Sequence, residues 1–190
     1  MRDKIKDIFL EGIQIREDLM RTRIEQIIDI TELFIDSLKK GGKVMFFGNG
    51  GSASDSQHLA AELVGRFKKD RNALPAIALT TNTSILTSLA NDYGYDIVFA
   101  KQVEALGQKN DLVVGISTSG KAKNVVAGIK QAKKMGLKTV ALTGGDGGEL
   151  AKLADVSLKV SSSVTARIQE AHITIGHIIC ELVEAELCLG

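Results

Sequence analysis

The sequence predicts an α/β protein: a doubly wound, five-stranded parallel sheet flanked by helices, with a helical extension at the N-terminus. Three observations carry this. Five short apolar runs recur between residues 43 and 160, each continuous rather than alternating, as expected of parallel strands buried on both faces. Amphipathic stretches with helical spacing separate the runs, and strand–helix–strand alternation requires right-handed crossovers. Segments rich in glycine and hydroxyls follow the first four runs, at the end of such a sheet where ligands bind.

Residues 3–40 read as helix. Ile5, Ile8, Phe9, Gly12, Ile15 and Leu19 recur at three- to four-residue spacing, as do Ile24, Ile27, Ile28, Leu33, Phe34 and Leu38, and Gly41-Gly42 ends the pattern. Strands are expected at 43–47, 75–79, 111–116, 138–142 and 155–160. Helices are expected at 53–67, 83–91, 95–106 and 121–135, with a long final helix at 164–188. No repeat, low-complexity tract or linker divides the chain. The expectation is one domain over 1–190: N-terminal helices (1–40), an α/β core (43–160) and a C-terminal helix (164–188).

Composition narrows the function. Twenty-four Lys and Arg against 23 Asp and Glu give a formal net charge of +1, which excludes the basic footprint of a nucleic-acid binder. The one small basic cluster is Lys68, Lys69 and Arg71. No apolar run approaches the roughly 18 residues of a membrane span, and no short apolar segment near the start suggests a secretory signal, so a cytoplasmic protein is expected. Cys180 and Cys188 lie in the last helix without metal-type spacing, which suggests free thiols in a reducing compartment.

The motifs lie after the strands. Gly48-Asn49-Gly50-Gly51-Ser52 joins the first strand to a helix. It is not a dinucleotide fingerprint: the third glycine is missing at the helix, and the second strand runs into Thr80-Thr81 rather than an acidic residue. It is not a P-loop either, because no Gly-Lys-Ser/Thr follows. Two readings stand, an ordinary strand–helix turn or a backbone grip on an anion at a helix N-terminus. Ser117-Thr118-Ser119-Gly120 favours the second. It too opens a helix, and an N-cap accounts for one hydroxyl but not three, so this segment is read as a phosphate cradle with Lys121 and Lys123 just beyond.

On the helix after the first loop, His58 and Glu62 are four residues apart and share a face. Leu59, Leu63 and Phe67 mark an apolar stripe about 100° away round the axis, which puts the pair at a cleft edge. A carboxylate there can act as a general base. The last helix carries Arg167, Gln169, Glu170, His172 and His177. His177 sits among Ile175, Ile178, Ile179 and Leu182 and reads more readily as a hydrogen-bonded core histidine than as a catalyst; His172 lies about 140° round from it and faces elsewhere. Asp92, beside Asn91, either caps the helix at 95–106 or reaches a sugar hydroxyl, and spacing does not separate the two.

Together, the Gly48–Ser52 loop, the His58/Glu62 helix, Asn91-Asp92, Ile116-Ser117-Thr118-Ser119-Gly120, and Arg167-Ile168-Gln169-Glu170 followed by His177 resemble the phosphoheptose isomerases of the sugar-isomerase (SIS) domain family, over essentially the whole chain. The resemblance implies a flavodoxin-like sheet and an aldose–ketose isomerase. Its reaction would convert sedoheptulose 7-phosphate to D-glycero-D-manno-heptose 7-phosphate through an enediol, as the first step toward ADP-heptose and the heptose of the lipopolysaccharide core. It implies Glu62 and His177 as catalytic residues. Substrate contacts would come from Asn49, Gly50, Gly51, Ser52, Glu62, Asn91, Asp92, Ser117, Thr118, Ser119 and Gln169. One zinc ion per subunit would have His58, Glu62, Gln169 and His177 at its ligand positions; no organic cofactor is implied. Ala122 stands where the family commonly has a further serine, with Lys121 and Lys123 as possible compensation.

The resemblance also implies a homotetramer. Gln169 and His177 are eight residues apart, about 12 Å along one helix, so joint ligation of one ion needs a bend or donors from two chains. The expectation is therefore active sites at subunit interfaces, with no nucleic-acid or membrane partner. Other members of the SIS family keep the fold as non-catalytic regulators that bind a sugar phosphate or a replication initiator, and the Glu62/His177 pair is what speaks against that reading here.

Overall fold

A computed structural model describes residues 1–187. Five parallel strands, β1 (Val44–Gly48), β2 (Ala76–Ala78), β3 (Leu112–Ser117), β4 (Lys138–Gly144) and β5 (Val156–Val160), form one sheet in the order β2-β1-β3-β4-β5. Val44 is in register with both Ala76 and Leu112, Leu112 with Lys138, and Val140 with Val156. From β1 the chain steps outward to β2 and then returns to the other side as β3. The order therefore switches between β1 and β3, where a doubly wound sheet leaves a crevice beyond its strand ends.

The helices are α1 (Arg2–Thr22), α2 (Ile24–Lys39), α3 (Gly51–Val64), α4 (Thr83–Tyr93), α5 (Val98–Leu106), α6 (Lys123–Lys134), α7 (Leu150–Leu153) and α8 (Thr165–Leu187). Strand side chains alternate between the two faces. Val44, Phe46, Val114, Ile116 and Leu142 pack with α2, α3 and α8, whereas Met45, Phe47, Val113 and Ala141 pack with α5 and α6. Every residue of β1 and β3 is buried, which is why both read as unbroken apolar runs.

Where the structure departs from the sequence reading, the causes are local. The helix expected at 3–40 is two helices. They meet at Arg23, whose φ of −126° breaks the rod and whose Nε donates to Lys159 O on β5. A single straight helix of that length would run about 55 Å. The bend lets α2 lie on the sheet, and neither glycine nor proline marks it. The start of the helix expected at 121–135 moves to Lys123, because Gly120 takes φ +63° and Ala122 is extended. The segment from residue 95 opens as a 3-10 turn, Tyr95–Ile97, before α5. The four residues of α7 are too short to show a helical period.

Cys180 is buried, and burial pushes its thiol up to about 12, so it is inert; Cys188 lies outside the described residues. No described helix is long and apolar enough to cross a membrane. The outer face of α1 exposes Ile5, Ile8, Phe9, Leu10 and Ile13.

Candidate active site

The site is organised by two helices far apart in the chain. α3 and α8 run side by side in the same direction. Gly51 abuts Gln169 and, two turns on, Leu59 abuts Gly176. A Cβ at Gly176 would lie 2.8 Å from Leu59 Cδ1, so any larger residue would have to push the buried Leu59 side chain aside for the two axes to stay this close. The close approach brings His58 and His177, 119 residues apart in sequence, to an Nε2–Nε2 distance of 2.9 Å. Glu62 Oε1 is 3.1 Å from His58 Nε2, one helical turn away.

The ligand atoms of His58, Glu62 and His177 lie within 4.8 Å of one another. Two imidazole nitrogens turned toward each other beside a carboxylate form a donor set of the kind that holds a metal ion. The Phe67 ring lies against His177 at a centroid distance of 5.6 Å. The reading of His177 as a core histidine is thus replaced by one in which it faces this cluster. The reason is that α3 supplies polar partners where its apolar stripe ends.

Gln169 is elsewhere. Its Cδ would be 2.6 Å from a Cβ at Gly51, which places it at the opposite end of the α3–α8 seam from His177. The spacing argument for donors from two chains therefore bears on Gln169 alone, since His58, Glu62 and His177 assemble within one chain. His172 faces away, as its helical angle requires. It is fully buried, with Nε2 3.0 Å from Thr143 O, and burial lowers its pKa to about 4, so it is neutral and donates to that carbonyl.

The loops after β1 and β3 flank the crevice. Asn49 and Asn124 exchange two amide hydrogen bonds of 2.9 Å, and Asn124 Oδ1 also accepts from Val125 N–H. The Asn49 side chain is therefore spent on fastening one loop to the other. Gly50 takes φ +54° and is exposed at the tip. The first turn of α3 is partly self-capped, because Ser52 N–H donates to Asn49 O and Ala53 N–H to Gly50 O; Ser52 itself is buried. That leaves fewer free amides for an anion than the glycine run suggested. Asn91 and Asp92 are exposed in the last turn of α4, where Asn91 Nδ2 donates to Asp92 Oδ1; α5 takes no side-chain cap.

The loop after β3 opens onto a cleft. Ser117 is buried at the strand end, while Thr118 and Ser119 line a cleft of about 160 Å³. The opposite wall is Gly144, Gly145 and Asp146 after β4, and Ser162, Ser163 and Thr165 at the start of α8. Lys121 reaches into it but lies 3.2 Å from Asp146 Oδ2, and Lys123 is 3.7 Å from Asp96. The hydrogen bond from Gly148 N–H and the nearby Lys121 hold the Asp146 carboxyl below its usual range.

Three contributions escaped the sequence reading. Ser162, Ser163 and Thr165 raise the hydroxyl-bearing residues of the cleft from two to five, and the run Ser161-Ser162-Ser163 just before the last helix was the visible signal. Asn124 had no signal, since its role depends on Asn49. Asp55 stands one turn before His58. Burial raises its pKa to about 6, against the pull of His58, and its Oδ2 has no hydrogen-bond partner among the described residues.

Comparison with known proteins points the same way. The SIS domain family model matches residues 9–144. The phosphoheptose isomerase of Aquifex aeolicus is 52% identical over 188 residues, covering 99% of this chain and 98% of that protein. Among solved structures, the phosphoheptose isomerase of Neisseria gonorrhoeae superposes with a TM-score of 0.92 at 42% identity, covering 97% of this chain and 98% of that one. A phosphoheptose isomerase from Francisella tularensis gives 0.93 at 36% identity, with 96% and 97% covered.

Proposed function

The chain belongs to the SIS-domain family, and from that membership we propose how its residues isomerise a phosphorylated heptose. It is an isomerase, and its substrate is an open-chain ketose phosphate, sedoheptulose 7-phosphate, converted to D-glycero-D-manno-heptose 7-phosphate at the entry to ADP-heptose synthesis in the cytoplasm. The observation that carries the chemistry is the meeting of Glu62 with His58 and His177 within one chain.

The phosphate end is taken by the hydroxyls of Thr118 and Ser119 and those of the facing wall, with Lys121 nearby. Gln169, one turn beyond Thr165 and packed on Gly51, contacts the carbon chain between the two ends. The Asn49–Gly51 backbone and Asn91-Asp92 supply the remaining sugar contacts. Glu62 removes a proton from C1 of the ketose, and the C–H electron pair forms the C1–C2 double bond as the C2 carbonyl oxygen takes a proton from His177. His177 then accepts the O1 proton, C1 becomes the aldehyde carbon, and Glu62 returns its proton to C2. Acid–base assistance of this kind contributes roughly 10²–10⁴-fold. A metal ion held by His58, Glu62 and His177 would supply Lewis-acid polarisation of the substrate oxygens in place of the proton that His177 otherwise gives.

The exposed apolar face of α1, together with the groove that Met20, Ile24, Ile28, Ile178 and Leu182 line beside it, is assigned to assembly of a homotetramer. A purely ligand-binding regulator has no use for the Glu62–His177 arrangement and is not favoured.

The test is incubation with sedoheptulose 7-phosphate in deuterated water, with and without a chelator, for the parent and Glu62→Gln. Solvent deuterium at C2 of the aldose is expected from the parent. At least about a hundredfold loss of turnover is expected from Glu62→Gln, with inorganic phosphate still bound. Near-normal turnover of that variant would remove Glu62 from its role, whereas deuterium at C2 marks a proton that exchanged with solvent on the Glu62 carboxyl before its return.

A further inference from the structure

Beyond the cluster lies a second group of buried charges that the reaction does not use. Glu184 on α8 and Arg71 in the segment after α3 pair at 3.2 Å, with side chains 3% and 4% exposed. The Glu184 carboxylate accepts the N–H groups of Phe67 at 3.0 Å and of Lys68 and Lys69 at 2.8 Å. The Arg71 guanidinium donates to Glu62 O at 2.9 Å, Leu63 O at 2.7 Å, Gly65 O at 2.8 Å and Asn72 O at 3.0 Å. The first three are carbonyls at the end of α3, where a helix lacks intrahelical partners.

We propose that Arg71 and Glu184 are positioning residues for the Glu62–His177 centre: Arg71 fixes the turn of α3 that carries Glu62, and Glu184 fixes the turn that sets Phe67 against His177. This rests on the role assigned to those two residues above. The energetics support geometry over stability as the reason for the pair. Desolvating two charges consumes most of their attraction, so a buried ion pair adds little net stability but holds one arrangement against others. Each of its bonds ends on backbone within five residues of Glu62 or on the segment bearing Phe67, apart from the one to Asn72 O. The same carboxylate locks α8 seven residues after His177, so both catalytic side chains are referenced to one buried charge.

Misplacement by about 1 Å can cost on the order of 10²-fold in rate, so loosening the clasp is expected to lower kcat by at least about tenfold. KM for the phosphorylated substrate should stay within about twofold, because the phosphate cleft lies at the other end of α8. The experiment measures kcat, KM and thermal midpoint for Glu184→Gln, Arg71→Lys, Arg71→Met and Phe67→Leu beside Glu62→Gln, well below every midpoint. Support is a kcat loss with KM held in Glu184→Gln, a smaller one in Phe67→Leu, and partial recovery in Arg71→Lys relative to Arg71→Met. A lowered midpoint with kcat within twofold of the parent overturns the proposal, leaving a structural tie only. Where Glu184→Gln or Arg71→Met does not fold, Phe67→Leu and Arg71→Lys decide, and normal kcat in both overturns it. Glu62→Gln separates the failures. If it is slow while the clasp variants are normal, the clasp alone is wrong; if it too is normal, the assignment of the base is wrong and the clasp falls with it.

Discussion

His172 should set much of the acid sensitivity of this fold. It is fully buried against the end of β4, and its Nδ1 has no hydrogen-bond partner among the described residues. Desolvation lowers its pKa from 6.5 to about 4. The folded chain therefore binds fewer protons at this site than the unfolded chain between those values. Stability is full above 6.5 and is lost as pH falls toward 4. Taking 6.5 for the unfolded chain and 4 for the folded one, linkage gives a loss of about 2 kcal/mol at pH 5 and about 3 kcal/mol at pH 4 relative to neutral pH. His172→Gln keeps an N–H donor for Thr143 O but cannot titrate. Urea unfolding of both proteins at one concentration, at pH 7.5, 6 and 5, is the assay. The variant is expected to start about 1–2 kcal/mol less stable from imperfect packing and then to lose about 2 kcal/mol less than the parent by pH 5. Parallel declines would refute the reasoning, because all other groups are common to the two chains.

Two further outcomes follow from the site. Gly176→Val places a branched side chain against buried Leu59. It should cost about 2 kcal/mol and lower the thermal midpoint by roughly 4–8 °C, with activity falling further as α3 and α8 separate; calorimetry and initial rates check both. Asp146→Asn frees Lys121 in the phosphate cleft. KM for the heptose phosphate should fall about two- to fivefold at low ionic strength, the effect shrinking in high salt, as steady-state kinetics at two salt concentrations will show.

The strands were legible because burial on both faces writes itself into consecutive residues, as Val44–Phe47 and Leu112–Ile116 show. The His58–Glu62 pair was legible because a helix fixes what lies one turn away. The bend at Arg23 was not, since its cause is a hydrogen bond to β5 rather than a helix-breaking residue. Asp55 also lies one turn from His58, but the burial that raises its pKa is not visible in spacing. The cleft proposed for the phosphate was half legible: Thr118 and Ser119 announced themselves after a strand, whereas Ser162, Ser163 and Thr165 acquire meaning only when the loop after β4 lies alongside.

Taken alone, the order of residues determined the alternation of strand and helix, the loops that bear glycine and hydroxyls, and the identity of the acidic and imidazole groups. Each of these depends on neighbours within a few residues along the chain. Tertiary packing decided that His177 joins His58 and Glu62 and that Gln169 does not. That choice depends on how closely α8 can lie on α3, which is set by the missing side chain at Gly176 against Leu59, and no periodicity within either helix encodes the other's distance.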